Sequence, residues 1–147
     1  NIYRQRQLLK EYFFPVLAGC FTGCLTSLGS ILLLCKLLSV DSVIASSLLP
    51  KSVTTAIAVA ISDSNGGIQG ITVTAVLVAG VIGAIFAPLF AKLFHVTDPV
   101  AEGVAIGACS HALGTSKAME IGALQGAMSS IALCVCGIMT SIIIMFF

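Results

Sequence analysis

The sequence predicts an all-α integral membrane protein with three full transmembrane helices and two interrupted, re-entrant or broken, helices that form a pseudo-repeat. Three observations predict it. The 147 residues are 58% apolar and only 9% charged, with a mean hydropathy of +1.11, whereas a soluble domain carries about 25% charged residues. Three long apolar runs, 12–40, 68–94 and 123–147, are each long enough to cross a hydrocarbon core of about 30 Å. Two shorter apolar runs are broken by polar residues, at Pro50–Thr55 and at Ser110–Glu120. Ionisable groups at membrane depth are costly and mark functional sites.

The chain begins with Asn1–Glu11, in which Arg4, Arg6 and Lys10 outnumber Glu11. It reads as an interfacial lead-in, and its basic residues place it on the cytoplasmic side. The opening Asn1 and the lack of a signal-peptide pattern predict a fragment or processed product that lacks upstream sequence. The run 12–40 would be about 43 Å long as helix, so it tilts or its ends lie at the interfaces. Lys36 snorkels from its far end, and Gly19-x-x-x-Gly23 offers a small-residue packing face.

Asp41-Ser42 reads as the N-cap of a new short helix. Pro50 ends that helix, because proline disfavours helical geometry in the residue before it. Lys51–Thr55 interrupt the pattern, Ala56–Ile61 resume it, and Asp63-Ser64-Asn65-Gly66-Gly67 supply a turn. In the second span, 68–94, Pro88 marks a kink or the start of its end, and Lys92 and His95 mark an interface. Thr97-Asp98-Pro99 is a helix start with Pro in the first turn. A short helix, Val100–Cys109, follows, with Glu102 favourably placed near its positive end. Gly103-x-x-x-Gly107 gives this helix a close-packing face, and Gly114 is the expected break. The last span enters through Gly122-x-x-x-Gly126.

The two interrupted segments share an order: turn with Asp, short helix, polar break, short helix, Gln-Gly, long span. At an offset of 60, Lys51 falls on His111, Thr55 on Thr115 and Ala58 on Ala118. The whole reads as one membrane domain, 1–147, with a weak repeat of 41–94 and 98–147. Interrupted segments in corresponding halves point to a transporter binding site. Re-entrant hairpins would enter from opposite faces and meet at their tips, whereas broken crossing helices would run parallel; the sequence leaves both open.

Each break frees N–H groups at the start of a second half-helix, where the helix dipole is positive. A carboxylate fits such a place. The expected substrate contacts are Lys51, Ser52, Thr54, Thr55, His111, Gly114, Thr115 and Ser116. His111 titrates near working pH, which suits a proton-coupled role. Lys117 and Glu120, three residues apart, are placed to pair with one another. The six cysteines at 20, 24, 35, 109, 134 and 136 form no C-x-x-C and read as small packing residues. No H-E-x-x-H, G-x-S-x-G or cofactor motif is present, and the three Asp lie in predicted turns, so neither an enzyme nor a metal centre is indicated. A net charge of +1 gives no reason to expect nucleic acid.

Leu49-Pro50-Lys51-Ser52-Val53-Thr54-Thr55 and Ser110-His111-Ala112-Leu113-Gly114-Thr115, with Gly66-Gly67-Ile68 and Glu120, resemble the LrgB/CidB family of membrane proteins. That family includes antiholin-like regulators of murein hydrolase export and a plastid inner-envelope glycolate/glycerate translocator, and some bacterial members are linked to pyruvate movement. The resemblance implies transport of a small monocarboxylate by a secondary carrier in a bacterial plasma membrane, or alternatively in a plastid inner envelope. It also implies upstream membrane segments and a small LrgA/CidA-like partner, while a pore would need self-association into a homo-oligomer. A holin-like pore or regulator is the rival reading, and an intramembrane hydrolase a weaker third. The sequence departs from the family pattern at Ala56, where Pro commonly follows the paired Thr, and at Ser116, where Ala is usual.

Overall fold

The computed structural model describes residues 12–145, and every regular element among them is helical. The elements are α1 Phe13–Leu37, α2 Ser42–Leu48, a 3-10 turn Leu49–Ser52, α3 Thr55–Ser64, α4 Gln69–Leu93, α5 Pro99–Ile121 and α6 Ala123–Ile144. The expected basic lead-in, with Arg4, Arg6 and Lys10, lies outside the described residues. By length and composition, α1, α4 and α6 can each cross a membrane. Their 25, 25 and 22 residues give about 37, 37 and 33 Å of helix.

Local chemistry corrects the sequence reading at several ends. The first span stops at Leu37, ahead of Ser39, whose φ of 50° a helix cannot accommodate. Asp41 does stand before α2, but its side chain caps nothing. Asp98 does cap: its carboxylate accepts from the Val100 N–H at 2.8 Å. Pro88 neither ends nor interrupts α4, which runs on to Leu93 with Pro88 inside it.

The buried residues of α1 are Val16, Cys20, Cys24, Leu28, Ile31 and Cys35, a spacing of three and four that defines one stripe. The upper part of that stripe packs on Val100, Val104 and Ala108 of α5 and on Met128, Ala132 and Cys136 of α6. Small residues set the approach. A Cβ on Gly19 or Gly23 would stand 3.3 Å from Val104 or Ala108, respectively. The cysteines here are packing residues whose thiols find carbonyls, Cys20 on Ala132 O at 3.9 Å and Cys24 on Cys136 O at 3.7 Å. Cys109 and Cys134 are exposed instead.

The path of α5 follows from its contacts with α6. A Cβ on Gly103 would collide with Gln125, and one on Gly107 with the Ser129 backbone. The first half of α5 thus runs alongside α6 in the same direction, on the Gly103-x-x-x-Gly107 face. Thr115 Oγ1 then meets the same Ser129, 2.8 Å from its Oγ. Gly107 and Thr115 are eight residues apart, about 12 Å along a straight helix. They share one neighbour because the chain folds back at His111, whose φ 48° and ψ −136° are non-helical. The break is therefore His111, not Gly114. Gly114 lies within the returning half, where a Cβ would stand 3.1 Å from Ile106 and would collide with Ser110.

The segment 42–64 folds back likewise. Ser47 O accepts from Thr72 Oγ1 at 2.9 Å, and the same hydroxyl bonds Ser62 Oγ at 2.7 Å. Ser47 and Ser62 would lie about 22 Å apart on one straight helix. The reversal runs through the 3-10 turn and through Val53 (φ −134°, ψ 179°) and Thr54 (φ −62°, ψ 148°), both extended. Pro50 shapes this reversal without stopping the chain's helical turn, since Leu49–Ser52 continue it in 3-10 form.

Candidate functional site

The two reversals meet. His111 Nε2 lies 2.5 Å from the backbone carbonyl of Lys51, 60 residues earlier in the chain. A carbonyl only accepts, so Nε2 carries the proton and donates. In the neutral ring this leaves Nδ1 as a bare acceptor, and Nδ1 is buried with no partner among the described residues. His111 itself is only 2% exposed. An unpaired buried polar atom is expensive, and native folds ordinarily satisfy such an atom with a protein group, a water or a ligand.

Lys51 is half-buried. Its ammonium donates to Ser52 Oγ at 3.1 Å and to Ser27 Oγ of α1 at 3.4 Å. Those two hydroxyls are themselves 2.5 Å apart. Among the described residues the only carboxylate–ammonium pair is Lys117–Glu120, at 2.8 Å and largely exposed. Lys51 therefore has neutral oxygens around it and no counter-ion there. Behind His111, Thr115 Oγ1 donates to the His111 carbonyl at 2.8 Å and joins Ser129. This ties the strained residue to α6.

The expected substrate contacts divide into two sets. Lys51, Ser52 and His111 come together, with Thr115 and Gly114 buried just behind them. Thr54 is half-buried at the start of α3, and its side chain makes no cap bond there. Thr55 and Ser116 are exposed, and Ser116 bonds back to Ala112 O at 3.2 Å. Their hydroxyls stand apart from the Lys51–His111 junction. Lys117 and Glu120 pair with each other, as their spacing predicts.

Sequence reasoning missed Ser27 and Ser129, which support the junction from α1 and α6. Both lie inside apolar spans, where a serine ordinarily bonds back to its own helix and carries no signal. Lys51 also lines a pocket of about 380 Å³ between α4 and the first half of α5. Among the described residues no cluster of three or more His, Cys, Asp or Glu is placed to hold a metal ion.

Chemically, the junction offers an ammonium without a counter-ion, serine hydroxyls and an imidazole nitrogen. The starts of α3 and of the returning half of α5 carry N–H groups at the positive ends of helix dipoles. Such a set suits a small anion that can also share a proton.

The LrgB-like family matches residues 1–147, and the chain belongs to it. It is 39% identical over 143 residues to the antiholin-like protein LrgB of Bacillus subtilis (strain 168), an alignment that covers 97% of this chain and 62% of the relative. It is 38% identical over 146 residues to the antiholin-like protein LrgB of Bacillus mycoides (strain KBAB4) and to that of Bacillus cereus (strain B4264), covering 99% of this chain and 64% of each relative. The chain thus spans less than two thirds of the length of these relatives. No solved structure matches it.

Proposed function

We propose that this LrgB-family chain forms the substrate-binding part of a secondary carrier for small monocarboxylates such as pyruvate, glycolate or glycerate. The observation that carries the reading is the pair at the junction. Lys51 is an ammonium with hydroxyl neighbours and no carboxylate among the described residues. Beside it His111 keeps a buried nitrogen unpartnered. A bound carboxylate would answer both at once. One oxygen would accept from Lys51 Nζ and from Ser52 or Thr54. The other would face the opened starts of the half-helices and His111, which can take up a proton at Nδ1 as the anion binds. Charge-assisted hydrogen bonds of this kind are about twice as strong as neutral ones.

The topology supports this use. We read 42–64 and 99–121 as re-entrant hairpins that enter a membrane from opposite faces. The helices α1 and α6 run one way, α4 the other, and the hairpin tips meet at Lys51–His111 near the midplane. Non-helical backbone is tolerated at that depth only when it is buried in protein or lines a cavity, and inverted repeats place transporter sites there. The long apolar faces of α4, with Leu77, Val81, Ile85 and Leu89 exposed, suit lipid, a second copy or a small LrgA/CidA-like membrane partner. A bacterial plasma membrane is the expected location, with a plastid inner envelope as the alternative.

The test is uptake of labelled pyruvate, glycolate and glycerate into liposomes holding the full protein, with and without an LrgA/CidA-type partner. Saturable uptake that competing monocarboxylates suppress is expected; its absence in both preparations sinks the reading. A second reading has its own support, since the relatives are named antiholin-like. On that reading the chain is a pore or a regulator of murein hydrolase export. Leakage of an uncharged dye from the same liposomes, unaffected by carboxylates, would favour it.

A further inference from the structure

Of two pockets that Lys51 lines, the one between α4 and the first half of α5 is more than the proposed carboxylate requires. Its volume is about 380 Å³, within the range of pockets for much larger ligands than pyruvate, glycolate or glycerate. It lies between α4 and the first half of α5, and its wall is hydrocarbon, supplied by Ile82, Ala87, Phe90, Ala105 and Ile106. At one end stand Lys51 and Ser110; at the other stand Phe94 and Glu102. From Ala79 to Phe94 the wall runs about 22 Å along α4. Gly83 lets the two helices close at the Lys51 end, because a Cβ there would collide with Ser110.

The polarity of this pocket is its main feature. A cation without a counter-ion stands at the inner end, hydrocarbon fills the middle, and a carboxylate marks the far end. One oxygen of Glu102 accepts from Gln125 Nε2 at 3.2 Å, and the amide brings no opposite charge to it. Resting on the carboxylate reading above, we propose that this pocket is a tail subsite for an amphipathic monocarboxylate. The carboxylate head sits at Lys51 and an alkyl chain extends toward Phe90. The class of ligand is an unbranched or branched alkyl acid, with or without a 2-oxo group. A dicarboxylate is rejected, because its second charge is either buried against Phe90 and Ile106 or brought toward Glu102, and both are unfavourable.

Each methylene that enters the subsite leaves water for hydrocarbon, a gain of about 0.8 kcal/mol, or about fourfold in affinity. The experiment is a ligand-stabilisation titration of the full protein in detergent with the straight-chain acids from propionate to octanoate, and with succinate and adipate. Affinity is expected to rise about fourfold per methylene over the first few carbons and to be far weaker for both dicarboxylates. Ala105→Phe, at an exposed position, and the milder Ala87→Val should flatten the series, and Glu102→Gln should improve adipate several-fold. A flat wild-type series with firm propionate binding overturns the tail subsite and leaves the carboxylate site standing. A slope that both filling variants retain also overturns it, because the chain then partitions into detergent or lipid. If no acid binds, the carboxylate reading itself fails.

Discussion

The backbone at His111 allows a prediction in which two accounts of the chain give opposite signs. His111 holds φ 48° and ψ −136°, a region that glycine enters freely and side chains avoid at a cost of about 1–3 kcal/mol. Its ring donates to Lys51 O. Replacing it by alanine removes that bond, leaves the half-buried Lys51 carbonyl without its donor at about 1–3 kcal/mol at most, and keeps the backbone strain. Replacing it by glycine loses the same bond but relieves the strain, against a chain-entropy cost of about 0.5–1 kcal/mol. His111→Gly should therefore be more stable than His111→Ala by about 1 kcal/mol. Were residue 111 an ordinary helical residue, alanine would win by about 1 kcal/mol. The two accounts differ by about 2 kcal/mol, within reach of thermal or SDS unfolding of the three proteins in one detergent. Both variants should lose carboxylate uptake. An alanine variant as stable as the glycine variant, or more so, would refute the fold-back at this residue.

Three further outcomes follow from the same packing. Gly107→Ala places a Cβ against the Ser129 backbone and should lower stability by about 1–3 kcal/mol, whereas Gly29→Ala, with nothing within 4 Å, should be neutral or stabilising by up to about 1 kcal/mol; unfolding midpoints of the pair check this. Lys51→Met should abolish saturable carboxylate uptake while the protein remains folded by circular dichroism, and Lys51→Arg should retain part of the uptake; uptake by Lys51→Met at the wild-type rate would remove Lys51 from the site. Lys117→Ala should change stability by less than about 1 kcal/mol, because its pair with Glu120 is mostly exposed, and uptake should persist; a large loss of uptake would add these residues to the site.

The three spans were legible because hydrophobic length is a local property, and their observed bounds differ from the sequence reading by only a few residues at most ends. The two polar interruptions were legible for the same reason: Lys51 and His111 stand out in apolar surroundings. The residue at the second break was misjudged. Gly114 carried the composition signal, but the strain sits on His111, because Gly114 is needed where the returning half passes Ile106 and Ser110. Thr55 and Ser116 were grouped with the site by their place in the motifs. Sequence neighbourhood does not say which face of a short helix a hydroxyl takes, and both are exposed.

By itself, then, the sequence determined that this is a helical membrane protein whose shorter apolar runs carry costly polar residues at Lys51 and His111. Composition and hydrophobic period act along the chain and need no partner to be read. The tertiary structure decided what the breaks touch. It put Lys51 and His111, 60 residues apart, within one hydrogen bond, brought Ser27 to Lys51 and Ser129 to Thr115 from distant helices, and turned both segments back on themselves. Those outcomes depend on glycines that admit a neighbouring backbone and on carbonyls that need a donor. Such requirements arise only when two parts of the chain are already side by side.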